Sequence, residues 1–88
     1  NNHDFYSLDN MSQNHNRLRK VLANNIKRFR NERSLSQEQL AEACGLHRTY
    51  VGSVERCERN VTLSTLEILA KALGLTVPQL LTDFGDHR

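Results

Sequence analysis

The chain has 88 residues, 38% hydrophobic and 25% charged, enough for one small domain with a single modest core and too little for two separately packed cores. Its formal net charge of +2 is uneven, because residues 17–82 hold 11 Lys/Arg against 6 Glu while both flanks are slightly acidic, a balance that suits a polyanionic partner. One Pro, four Gly and two Cys, with little β-branched alternation, exclude a strand-rich or disulfide-stapled fold, and no apolar run is long enough to cross a bilayer.

Residues 1–16 are polar, rich in Asn and without a helical apolar stripe, so they are expected to form a tail. Met11 fits a translation start, which leaves residues 1–10 either native or an appended extension. From Arg17 the pattern changes. Leu18, Val21, Leu22, Ile26 and Phe29 recur three or four apart, while Arg19, Lys20, Lys27, Arg28 and Arg30 take the other face, as in an amphipathic helix ending near Arg33. Ser36 with Gln39 predicts a capping box. A second helix then runs to Cys44, and Gly45 stops it in the left-handed conformation. A third helix is expected from His47 to Arg56, with Val51 and Val54 inward and Arg48, Thr49, Gly52 and Ser53 outward. After a loop through Asn60, Thr62 or Ser64 caps a fourth helix that buries Leu66, Leu69, Ala70 and Leu73 and ends at Gly74. Val77 and Pro78 open a short fifth helix carrying Leu80, Leu81 and Phe84, and residues 83–88 form a short tail. The expectation is an all-α domain over residues 17–82.

Two helices that cross steeply need a small residue where they touch, a turn residue free of Cβ strain and an apolar anchor on the second helix. Ala41, Gly45 and Val51 supply these at the offsets of a helix-turn-helix, with Leu40 and Val54 adding core contacts. The stretches Leu35-Ser-Gln-Glu-Gln-Leu-Ala-Glu-Ala-Cys-Gly-Leu46, Val54-Glu-Arg-Cys-Glu-Arg-Asn60 and Leu66-Glu-Ile-Leu-Ala-Lys-Ala-Leu-Gly74 resemble the Xre/Cro-type family of lambda-repressor-like DNA-binding domains. Within it, His47-Arg-Thr-Tyr50 with Glu55, Arg56, Arg59 and Asn60 is similar to the controller proteins of restriction–modification systems.

The resemblance implies a five-helix regulator of transcription that binds a double-stranded, pseudo-palindromic operator as a homodimer, with RNA polymerase as a further partner where the operator adjoins a promoter, and the two unpaired-looking thiols, Cys44 and Cys57, fit a reducing cytoplasm. Gln37 matches the position that grips a phosphate at a helix N-terminus. Arg48 and Thr49 match base-reading positions: Arg can bond guanine in two places, and Thr can lay its methyl on thymine. Ser53 stands as a second base or phosphate contact. Tyr50, Arg59 and Asn60 would fasten the flanking backbone, with Arg56 and His47 beside them. Two residues depart from the pattern: Cys57 stands where the family usually has Gly, and Val61 where it often has Pro. Independently of the resemblance, the apolar residues of the short last helix, Leu80, Leu81 and Phe84 with Val77 at the edge, are expected to make the dimer seam.

Other functions are compatible with the same residues. A phage-type repressor or an antitoxin would share the fold, a protein-interaction module would not need DNA, and a redox or metal sensor would make the operator response depend on oxidant through Cys57. Cys44, His47 and Cys57 lack the spacing and the fourth ligand of a zinc site. No nucleophile–base pair, acid cluster or Gly-rich phosphate loop is present, so neither catalysis nor a cofactor is expected.

Overall fold

The computed structural model describes the backbone of residues 8–85 and the side chains of residues 16–85. Among the described residues the chain forms five α-helices and no strand: α1 Leu8–Glu32, α2 Gln37–Cys44, α3 Arg48–Glu55, α4 Leu63–Leu73 and α5 Val77–Leu80. The all-α, five-helix expectation is met. α1 begins earlier than the apolar stripe indicates, so residues 8–16, read as tail from their polarity, continue the helix. Residues 1–7 and 86–88 of the two expected tails lie outside the described residues.

Local chemistry sets the breaks. Ser36 forms the expected capping box with Gln39, Thr76 forms a second with Gln79, and Thr62 rather than Ser64 caps α4. His47, expected inside the third helix, is its N-cap: its ring accepts the Thr49 N–H. At the C-terminal ends the same double hydrogen bond recurs. Leu46 N–H reaches the Ala41 carbonyl at 2.9 Å and Gly45 N–H the Glu42 carbonyl at 3.2 Å; Glu58 reaches Ser53 at 2.9 Å and Cys57 reaches Val54 at 3.0 Å. This arrangement needs a left-handed residue at its centre. Gly45 supplies it at no steric cost, with φ 67°, whereas Cys57 adopts φ 65° against its Cβ. The loop therefore keeps the geometry of a glycine stop although the glycine is gone.

Ile26, Leu40, Val51, Leu69, Leu73 and Leu80 are the largest fully buried side chains, so every helix contributes to one core. Leu22, Ala41, Cys44, Val54, Leu66 and Ala70 close around them. Ala41 and Val51 sit where the helix-turn-helix pattern demands them. Leu18, expected on the apolar stripe, is 48% exposed. Leu80 corrects another expectation. It is 0% exposed inside its own chain, because buried Asn25 on α1 donates from Nδ2 to the carbonyls of Leu80 and Thr82, each at 2.8 Å. Those bonds satisfy carbonyls at the end of α5 and pull it onto α1. Leu80 is thus core and is withdrawn from any dimer seam.

Candidate nucleic-acid interface

α2 and α3 meet at a cleft of about 520 Å³ lined by Arg30, Ser36, Gln37, Glu38, Arg48, Thr49, Gly52 and Arg56. Arg48 and Thr49 occupy the first turn of α3 and are exposed; Gln37, the first residue of α2, is half-buried opposite them. The structure therefore brings together the expected phosphate-gripping residue and the two expected base readers. Gly52 lies at the floor, where a Cβ would stand 3.1 Å from Arg56 Nη1 and 3.3 Å from Gln37 Oε1. Its bare backbone lets those two side chains converge over α3.

Behind the cleft lies a polar clamp joining three helices. The Glu55 carboxylate accepts from Arg30 Nε at 2.6 Å and Nη2 at 3.0 Å, and from Gln37 Nε2 at 3.0 Å. Arg30 Nη1 also donates to the Leu35 carbonyl at 2.7 Å. Only 4% of the Glu55 side chain and 11% of Arg30 are exposed. The hydrogen bond to Glu55 raises the guanidinium pKa above its ordinary value, more than burial lowers it, with the carboxylate's charge acting the same way. The clamp fixes α3 against α1 and α2 and holds the Gln37 amide in place.

The apolar stripe of α1 puts Arg30 on the solvated face, and Glu55 has no role of its own in the sequence pattern. A signal was available: Arg30 lies one helical turn beyond Ile26, on the edge of the buried stripe. Nothing in the sequence pairs it with a residue of α3.

The outward face of α3 also differs from the expected one. Ser53 is 5% exposed; its hydroxyl donates to the Tyr50 carbonyl at 2.7 Å and accepts from Arg59 Nε at 3.0 Å. Ser53 is therefore turned inward and committed, and its expected contact with base or phosphate is corrected. Gly52 is likewise buried rather than outward. At about 100° per residue, Arg56 rather than Ser53 falls in line with Thr49 and Gly52. Arg56 is exposed and pairs with Glu58 at 3.1 Å.

Tyr50 is half-buried against the core, and the Arg59 guanidinium lies 5.5 Å from its ring centroid. Ser53 and Tyr50 thus form a bracket for exposed Arg59. Asn60 is exposed but borders a different hollow, with Leu18, Leu22, Val61, Leu66 and Leu81. His47, at the mouth of the third helix, contacts the Thr49 hydroxyl through Nδ1 at 2.8 Å. Of the expected seam residues other than Leu80, Val77 and Leu81 are half-buried, and Phe84 is 49% exposed, its ring edge-on to Phe29 at 5.9 Å. Cys44 is buried, and loss of water around the thiolate raises its pKa. Among the described residues no His/Cys/Asp/Glu group is arranged to hold a metal ion.

Known proteins match this chain across the same helices. A family model described as helix-turn-helix matches residues 26–80. The control protein C.SmaI of Serratia marcescens is 66% identical over 68 residues, 77% of this chain and 81% of that protein. The crystal structure of the hypothetical transcription factor NHTF from Neisseria superposes with a TM-score of 0.75 at 50% identity, over 77% of this chain and 78% of that one. The restriction–modification controller protein C.Esp1396I, solved as a tetramer with its natural 35-base-pair operator, superposes with a TM-score of 0.66 at 35% identity, over 72% of this chain and 83% of that one.

Proposed function

We propose that this chain, which belongs to the helix-turn-helix family and to its control-protein branch, is a sequence-specific DNA-binding regulator of transcription that acts as a homodimer on a pseudo-palindromic operator of a restriction–modification operon. The observation that carries the reading is the joint placement of Arg48 and Thr49, exposed at the first turn of α3, beside Gln37 at the N-terminus of α2 on one cleft. A helix laid in the major groove presents its first turn to base edges, while the N-terminus of the preceding helix meets the phosphates. Arg48 reads guanine, Gln37 holds the backbone, and Arg56 and Arg59 flank it.

Residues 17–82 are the DNA-binding unit, and α1 extends back from it to Leu8. One such unit covers too little DNA to be both tight and selective, so two copies bind half-sites about 34 Å apart or a multiple of it. Val77, Leu81 and Phe84 make the seam between copies. RNA polymerase is the partner that turns occupancy into repression or activation, according to where the operator lies. No helix among the described residues is long and apolar enough to cross a membrane, and a regulator of this kind works in the cytoplasm beside its DNA.

Selection of bound sequences from a random DNA pool tests the proposal. Arg48→Ala should relax selectivity at one position per half-site, by about 1–3 kcal/mol of discrimination. Gln37→Ala should weaken all sequences alike. Affinity should fall steeply with added salt. A recovered pool with no shared sequence, or an unchanged ranking of operators for Arg48→Ala, overturns it.

A further inference from the structure

We infer that His47 is a positioning residue for base recognition: by holding the Thr49 hydroxyl it makes Thr49 a reader of the 5-methyl group of a pyrimidine in the major groove. The inference rests on the DNA-binding reading above and deepens it. It follows from how two donors share one ring nitrogen. His47 Nδ1 accepts the Thr49 N–H at 3.3 Å as the N-cap of α3. An accepting Nδ1 carries no proton, so the ring proton sits on Nε2. The Thr49 hydroxyl, 2.8 Å from the same Nδ1, must then be the donor in that contact.

The consequence is chemical. With its only proton committed to the ring, the hydroxyl has none to give to guanine N7 or O6 or to thymine O4. The same bond fixes χ1, drawing the oxygen toward the cap. Thr49 nevertheless stays exposed at the lip of the cleft beside Arg48. What it has left to offer a ligand is its methyl group and an oxygen that can only accept, and that oxygen is the atom the ring draws toward the cap. The apolar feature of the major groove is the 5-methyl of thymine, which 5-methylcytosine also carries and cytosine and uracil lack. Arg48 and Thr49 thereby divide the reading: an exposed cation for purine acceptors and a fixed methyl for a neighbouring pyrimidine. Without the ring the hydroxyl could rotate and donate, and the preference would blur.

The test uses the full chain and an operator selected from random DNA, with each thymine singly replaced by deoxyuridine, which removes only the methyl. One symmetry-related thymine per half-site should show a loss of about fourfold, and about fifteenfold when both half-sites are changed, as expected for one buried methyl each. Replacing each selected cytosine by 5-methylcytosine forms the second arm. A gain confined to a cytosine assigns the methyl to that base, and a loss confined to a thymine assigns it to thymine.

Thr49→Ser keeps the hydroxyl and removes the methyl, and should erase the methyl preference; Thr49→Val keeps a methyl and should retain it. His47→Ser keeps a favoured N-cap without the ring, and should drive the preference toward unity while the helical circular dichroism and melting profile stay those of a folded protein. A Thr49→Ser protein with the full methyl preference overturns the inference, as does a folded His47→Ser protein with an unchanged one. If every uracil and 5-methylcytosine replacement in a selected operator is neutral, this inference fails and the DNA-binding function stands. If no operator can be selected, the function itself fails.

Discussion

Removing the Glu55 carboxylate should be the most damaging single polar change in the protein. Glu55→Ala leaves the Arg30 guanidinium, 11% exposed, with only the Leu35 carbonyl at 2.7 Å among the bonds it now makes. It also strips the Gln37 amide of its 3.0 Å acceptor. Breaking one side of a buried ion pair costs about 3–5 kcal/mol, because the surviving charge stays desolvated without compensation. The spared Leu35 bond places the expected loss near the lower figure, about 3 kcal/mol. A domain of this size has a total stability on the order of 5–10 kcal/mol, and each kcal/mol corresponds to about 4–8 °C, so the melting midpoint should fall by about 12–24 °C. Urea and thermal unfolding followed by far-ultraviolet circular dichroism measure it. The decisive comparison is with Arg30→Met combined with Glu55→Leu, which removes both charges and fills the space. If desolvation is the cause, the double variant is more stable than Glu55→Ala. A Glu55→Ala loss below about 1 kcal/mol, or a double variant no better than the single one, would refute the reasoning.

Leu80→Ala should cost about 2–5 kcal/mol of fold stability, since Leu80 is 0% exposed. Phe84→Ala should barely change the midpoint and instead weaken dimerisation in sedimentation equilibrium, and the reverse pattern would contradict the assignment of core and seam. Cys57→Gly relieves a φ of 65° at a residue with a Cβ and should raise stability by about 1 kcal/mol in urea titrations; a decrease would mean the thiol makes a compensating contact. Burial raises the Cys44 thiol above its ordinary value of 9.0. The unfolded chain therefore releases that proton first as pH rises, so the Cys44 contribution is full below the ordinary thiol value and is lost as pH climbs through the folded one. Unfolding at neutral and strongly alkaline pH should show a larger alkaline loss for the native protein than for Cys44→Ala, and equal losses would remove Cys44 from the account.

The sequence by itself determined where α2 and α4 stop, though not that α5 ends at Leu80 short of Leu81 and Phe84, and which residues face the α2–α3 turn, because those features are short-range. Ser36 with Gln39, Gly45, Gly74, Thr62 and Pro78 act on backbone groups a few residues away, and the apolar period of Val21, Leu22 and Ile26 sets the buried face of α1. The exposed position of Arg48 and Thr49 follows from the same local register. Only the tertiary structure decided what long-range polar bonds decide. Glu55 and Arg30 are 25 residues apart and Asn25 and Leu80 are 55, and each pair is polar at one end or both, so neither carries a periodic signal. Those bonds turned Arg30 into a clamp and Leu80 into core, while the hydroxyl of Ser53 found Tyr50 and Arg59 and turned inward. A small polar or charged side chain has no intrinsic inside or outside: it goes where its hydrogen bonds are satisfied, and the folded chain alone supplies those partners.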